Sequence, residues 1–290
     1  MNTGEADVLA VIGVGLIGGS IGLAALQRGV SRRVIGIGRS EQKLREALAC
    51  GAVTETTTNV AEGVRDADLV VVCSPVETIP QFVAQAAAAC RPGTLITDAG
   101  STKQMIVERV AELRSDAVDA NRWHGEFLGS HPLAGSEKTG VAHSRTDLLE
   151  NRVVVLTPTD STVPAATERL RSFWGRLGAR VIEMSPGDHD AALAATSHLP
   201  HAIAAVLAAV TPADCLHLAA SGWSDTTRIA SGDVELWRQI FRENRQSVLR
   251  SLEQFGKVLT SFTQAMERQD DDRVAEILAL GKQRRDALAD

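Results

Sequence analysis

Cysteine is sparse and unpaired in this chain of 290 residues. Cys50, Cys73, Cys90 and Cys215 are scattered with no Cys-x-x-Cys spacing. That excludes a disulfide framework and a thiolate zinc site, and it fits small buried thiols in a reducing compartment. A basic surplus is missing as well. Thirty Lys and Arg stand against 36 Asp and Glu, giving a net charge of -6 and a pI near 5.7. Nucleic acid and membrane surfaces both want a cationic face, so neither is an expected partner. No apolar run reads as long enough to span a bilayer, and Met1 to Asp7 lacks the basic region of a signal peptide, so the expected location is cytoplasmic. Internal repeats and low-complexity tracts are absent, apart from an alanine enrichment that favours helix. What the chain does have is 44% hydrophobic residues over a length beyond one usual compact domain, enough for two sizeable cores.

Near the start, an apolar run Val8-Leu9-Ala10-Val11-Ile12 enters Gly13-Val14-Gly15-Leu16-Ile17-Gly18-Gly19-Ser20 and then an alanine-rich helical pattern. Strand, glycine turn and helix in that order are what a dinucleotide needs. Gly13 allows the turn, Gly15 lets backbone approach a pyrophosphate, and Gly18 permits close helix-strand packing. The helix start, with Leu16 and Ile17, points free N–H groups at the phosphates. Further strands are expected at Arg33 to Ile37, Leu69 to Cys73, Thr94 to Thr97 and Val153 to Leu156. Helices are expected at Glu41 to Ala49, Pro80 to Ala89 and Lys103 to Leu113, then at Thr167 to Leu177 before a last strand at Ala179 to Glu183. The alternation implies an α/β, doubly wound parallel sheet. After Ser185 only helical patterns remain, so residues 1–185 are expected to bind the dinucleotide and 186–290 to form an all-α domain.

The second strand ends in Ile37-Gly38-Arg39-Ser40. Gly38 occupies the place of the acid that would bind an adenosine ribose diol. Without it, Arg39 beside Ser40 is free to pair with a 2′-phosphate or to stack on adenine. The cofactor reading is therefore NAD(P), leaning to NADP. Ser74 and Pro75 follow the next strand, and Ser101 follows the one after. Both stretches lie at carboxyl ends of strands, where open α/β sheets bind ligands. Ser101 also lies where a hydroxyl serves as a helix cap, and both readings stand.

Three more stretches carry chemistry-bearing residues. Gly129-Ser130-His131-Pro132-Leu133-Ala134-Gly135-Ser136-Glu137 reads as too polar and glycine-rich for a core element. Ser197-His198-Leu199-Pro200-His201 lies in an apolar helical run, and Thr227-Arg228-Ile229-Ala230 precedes Trp237. His198 and His201 lack a third ligand motif nearby, so no metal is expected.

In this order the segments Gly13 to Ser20, Asp98-Ala99-Gly100-Ser101-Thr102-Lys103, His131 to Glu137, Ser197 to His201 and Thr227 to Ala230 resemble the prephenate and arogenate dehydrogenase family of tyrosine biosynthesis. The resemblance covers nearly the whole chain and is carried mainly by His-Pro-x-Ala-Gly and Ser-His-Leu-Pro-His. It implies a Rossmann domain followed by a helical dimerisation domain, with oxidative decarboxylation of prephenate or arogenate. By the same resemblance His131 is the base, or a hydrogen-bond acceptor, for the substrate hydroxyl, and Ser101 bridges that hydroxyl and the nicotinamide ribose. Arg228 binds a substrate carboxylate, His201 contacts the far end of the substrate, Glu137 is a gate or side-chain reader, and Trp237 is a packing wall. A homodimer follows, and the chain end at Asp290 leaves no room for a regulatory domain. Gly38-Arg39 departs from the acidic NAD-type pattern. Two other classes remain. A 3-hydroxyacid or imine oxidoreductase would share the first domain, but no lysine here has an asparagine four residues later. A non-catalytic nicotinamide sensor would not need His131, Ser101 and Arg228 together.

Overall fold

A computed structural model describes residues 7–116, 123–135 and 138–288. Its centre is a six-stranded sheet of β1 (Val8–Ile12), β2 (Arg33–Ile37), β3 (Glu55–Thr57), β4 (Leu69–Val72), β5 (Leu95–Asp98) and β6 (Glu126–Phe127). The spatial order is β3-β2-β1-β4-β5-β6, with every pair parallel. Parallel pairing demands crossovers, supplied by α1 (Leu16–Gln27), α2 (Glu41–Ala49), α3 (Val60–Val64), α4 (Ile79–Ala89) and α5 (Gln104–Ser115). Helices on both faces explain why β1 and β4 are apolar throughout. Leu9, Val11, Leu69 and Val71 point into one core, while Val8, Ala10, Ile12, Val70 and Val72 point into the other. The strand reversal between β1 and β4 places the glycine turn at the crevice where such sheets bind nucleotides. The short pair β3 and α3 escapes the sequence pattern because neither is long enough to show a period.

The later strands correct the expectation of one continuous parallel sheet. β7 (Gly129–Pro132), β8 (Val153–Thr157) and β9 (Arg180–Glu183) form a separate three-stranded sheet in which β7 and β8 are antiparallel. An apolar run such as Val153 to Leu156 reports burial on two sides, not which sheet it joins. The small sheet shares the first core: Leu128, Leu156, Leu170 and Trp174, the last two from α6 (Pro164–Arg176), are fully buried with Leu9 and Val11. The stretch around His131 is a second correction. Gly129–Pro132 is a strand buried at every position, not an exposed loop. Its stability comes from hydrogen bonds in place of apolar side chains. Ser130 Oγ donates to the Asp98 carbonyl at 2.6 Å, and Ser130 N donates to Asp98 Oδ1 at 3.1 Å.

From Pro186 on, every regular element is helical: α7 (Pro186–Leu193), a single π-type turn (Ala194–His198), α8 (Leu199–Val210), α9 (Ser221–Thr227), α10 (Val234–Glu243), α11 (Arg245–Arg268) and α12 (Asp271–Asp286). Residues Pro186–Val210 make one helical run of 25 residues with a hydropathy of 1.5, long and apolar enough to cross a membrane by those measures. This corrects the expectation that no such run exists. Alanine supplies much of the apolarity, and the polar residues that interrupt the pattern, His189, Asp190, His198 and His201, are buried against the rest of the chain.

Candidate active site

The glycine turn has the geometry that its sequence implies. Gly13 has φ +96°, and a Cβ there would lie 2.6 Å from the Cys73 carbonyl oxygen. A Cβ on Gly18 would meet the Gly13 oxygen at 2.2 Å, so α1 packs on β1 only because that side chain is absent. Gly15 differs from both, with nothing within 4 Å of its Cβ position. Open space on backbone at a helix start suits a ligand. α1 has no side-chain cap and no acid in its first turn, so its N–H groups remain available to an anion. Beside it lies a cavity of about 520 Å³ that includes Gly13, Gly15, Arg39, Ser40, Ser74 and Pro75 in its lining. Ser40 also caps α2, and Ser74 Oγ accepts from Thr78 at 3.0 Å. Leu16 and Ile17 occupy the first turn of α1. This shape and donor set fit a dinucleotide.

Beyond the carboxyl ends of the strands, a buried chain of polar groups converges on His131. His131 Nδ1 lies 2.9 Å from His189 Nε2, and His189 Nδ1 lies 2.7 Å from Asp190 Oδ1. The Asp190 carboxylate also accepts from the backbone N–H of Lys103 at 2.8 Å and of Gln104 at 3.1 Å, capping α5 from across the molecule. Ser101 does not serve as that cap, since Lys103 holds the N-cap position and no side chain of α5 caps it. The proton positions follow from the acceptors. A carboxylate can only accept, so His189 Nδ1 carries the proton, and in the neutral ring His189 Nε2 then carries a lone pair. His131 Nδ1 must then donate, which leaves His131 Nε2 as the unprotonated nitrogen. Burial is the main cause holding the His131 imidazole well below its ordinary pKa, with His189, Lys103 and His198 adding to it. Beneath this chain, the fully buried ammonium of Lys103 pairs with Asp98, whose Oδ2 also accepts from Gly100 N at 2.9 Å. Burial lowers the Lys103 pKa, and Asp98 opposes that shift.

The π-type turn shifts the helical phase just before α8, a local irregularity often found at functional sites. It presents His198 and His201 to one region. The His201 ring stacks on Trp237 with centroids 3.4 Å apart, and His198 Nδ1 lies 3.1 Å from Asn244 Nδ2. Burial lowers the pKa of both histidines, that of His198 to about 4. The structure thus gathers His131, His198, His201 and Trp237 around the joint between sheets and helices. It leaves Arg228 exposed on a short turn with no ion-pair partner among the described residues, and Ser101 half-buried in the loop after β5. Glu137 lies outside the described residues. Sequence pattern alone does not single out His189, Asp190 and Asn244. The only signal for the first two is a histidine-aspartate pair just before an alanine-rich run.

A Rossmann sheet with an open glycine turn, joined to a helical half that completes a buried histidine network, defines the class of two-part dinucleotide-dependent dehydrogenases. The model of the prephenate dehydrogenase nucleotide-binding domain matches residues 21–183, and that of the prephenate dehydrogenase dimerization domain matches residues 185–280. The chain belongs to the prephenate dehydrogenase family. It is 34% identical to prephenate dehydrogenase of Bacillus subtilis over 97% of this chain and 76% of the relative. It is 31% identical to cyclohexadienyl dehydrogenase of Zymomonas mobilis over 92% and 91% of the two chains. Among solved structures, Aquifex aeolicus prephenate dehydrogenase in complex with hydroxyphenyl propionate and NAD+ superposes with a TM-score of 0.87 at 29% identity, covering 97% and 98% of the chains. Synechocystis arogenate dehydrogenase gives 0.80 at 28% identity, covering 97% and 99%.

Proposed function

We propose that this chain oxidatively decarboxylates prephenate, arogenate or both, passing hydride to a nicotinamide dinucleotide and giving 4-hydroxyphenylpyruvate or tyrosine. The observation that carries this reading is the chain Asp190–His189–His131, which leaves His131 Nε2 as a neutral proton acceptor. The nicotinamide ring, when bound, supplies the hydride acceptor. The residues of this chain do the rest. Neutral imidazole takes the proton of the substrate ring hydroxyl as the carbinol carbon is oxidised, and loss of CO₂ then makes the ring aromatic. Asp190 and His189 hold the His131 ring and its tautomer, as an orienting partner does for a catalytic base. Ser101 bridges the hydroxyl and the nicotinamide ribose. Arg228 offers a planar fork to a carboxylate, His201 with Trp237 forms the wall at the far end of the substrate, and Glu137 is a gate or side-chain reader.

The dinucleotide is held by Gly13, Gly15, Leu16, Ile17, Gly18, Arg39, Ser40, Ser74, Pro75 and Ser101, and NADP serves at least as well as NAD. Supporting this are the missing carboxylate at Gly38 and two cations, Arg39 and Lys43, lining the same cavity. A Cβ on Gly38 would sit 3.4 Å from Leu44 Cδ2, so an aspartate fits there. Gly38→Asp/Arg39→Ala should therefore shift the ratio of kcat/KM toward NAD without unfolding the chain. A wild type that strongly prefers NAD and does not respond to the change would sink the NADP reading. The working form is a cytoplasmic homodimer built through residues 186–290. The main test is turnover of the purified protein with prephenate and arogenate against both nicotinamides. No reduced-nicotinamide absorbance in any combination would refute the activity.

A further inference from the structure

We infer that Gln239, on α10 of the helical half, accepts a hydrogen bond from the bound dinucleotide, so that the cofactor site is completed by the helical half. This rests on the reading that the groove beside Gly15 holds that cofactor. Gln239 lines the same cavity as Gly13, Gly15, Ser74 and Pro75, yet it comes from the other end of the sequence. It is only 9% exposed. Its Nε2 donates to Glu235 Oε1 at 3.1 Å, and a carboxylate can only accept, so the amide orientation is fixed. The Oε1 atom is then turned the other way, buried and without a donor among the described residues. A buried carbonyl oxygen left unsatisfied is costly, and natural sites usually supply its donor.

The position of Gln239 is fixed by its neighbours on the helix. Arg242 Nη2 lies 2.7 Å from Glu77 Oε1, and Arg238 Nη2 lies 3.9 Å from the same oxygen. Glu77 is on the turn Val76–Thr78 that follows Ser74 and Pro75. The ion pair therefore holds α10 against the loop after β4, with Gln239 between the two arginines in sequence. The chemistry of the dinucleotide supplies what Oε1 lacks. Its ribose hydroxyls, adenine amine and nicotinamide carboxamide all donate, whereas its phosphates only accept and are suited to the free N–H groups of α1.

Calorimetric titration of the full chain with NAD+, NADP+ and ADP-ribose, without prephenate or arogenate, tests this in wild type, Gln239→Leu and Gln239→Met. Thermal melts of each variant establish that it folds, and the methionine variant preserves side-chain length should leucine pack poorly. Loss of one net hydrogen bond should weaken binding about 3- to 10-fold. A loss shared by ADP-ribose puts the donor on the adenosine diphosphate ribose part, and a loss confined to the complete dinucleotides puts it on the nicotinamide. Unchanged affinity for all three ligands in folded variants overturns the inference and leaves an ordered water as the donor. A wild type that binds none of them refutes the cofactor reading itself.

Discussion

The two halves of the molecule bury their apolar residues in different ways. The sheet half sorts alternate residues of β1 and β4 into two cores, and its largest side chains, among them Trp174 and Leu170, are fully enclosed. In the helical half few apolar side chains are buried, among them Leu193, Ala204, Ile240, Val248 and Ala265. Leu249, Leu252, Phe255, Val258 and Leu259 on α11 remain exposed, as do Val206 and Val210 on α8. The first half draws its stability from its own chain. The second carries more apolar surface than a single copy covers, which accords with its match to a dimerisation domain.

The sharpest way to probe that contrast is at the joint itself. His131→Asn should lower kcat by on the order of 10²- to 10⁴-fold while substrate affinity changes little, because a proton acceptor acts mainly in the transition state. Near-normal turnover across pH would make His131 structural. Next in size is a paired truncation. Leu170→Ala should cost about 2 to 5 kcal/mol at any protein concentration, as a cavity in an enclosed core does. Leu259→Asp should instead weaken self-association, seen by light scattering as a concentration-dependent shift to monomer, and have little effect on the melting of the sheet half. Equal behaviour of the two variants would erase the distinction.

A third effect depends on pH. Burial holds His131, His198 and His201 below the ordinary imidazole value of 6.5, and His198 at about 4. As pH falls below 6.5 the unfolded chain takes up protons that the folded histidines refuse, so stability is full above that value and declines toward pH 4. His198 alone accounts for on the order of 3 kcal/mol. The Tm of wild type should drop across this window, and that of His198→Asn should drop less. The smallest change in stability is expected at Gly15→Ala, within about 1 kcal/mol, because a helix terminus tolerates alanine and the space is open. Dinucleotide affinity should fall nonetheless, and titration showing full affinity would mean that the groove is not used as proposed.

Much of this was legible in the sequence where residue type and geometry agree. The nucleotide turn could be read because strand, glycines and helix are contiguous, and Gly13 and Gly18 each have a separate steric reason. The strand bearing His131 could not, because Gly129-Ser130-His131-Pro132 has no apolar alternation and is held by hydrogen bonds to Thr97 and Asp98, which come from a distant strand. His189 and Asp190 stayed hidden for the same reason: their partners, His131 and Lys103, are 58 and 87 residues away. Local pattern reports which elements form. It does not report which polar groups they bring together.

One consequence follows from α10. Trp237 and Gln239 are two residues apart on it, so their side chains leave the helix at about 200° to one another. The first meets His201 and the second lines the groove beside Gly15. On the proposed function, one turn of helix borders both the cofactor groove and the wall at the far end of the substrate, and thermodynamic reciprocity governs the pair. Whatever factor an occupant of the groove lends to substrate on the Trp237 side, that substrate returns to the groove, and a substitution that alters this coupling alters it equally in both directions.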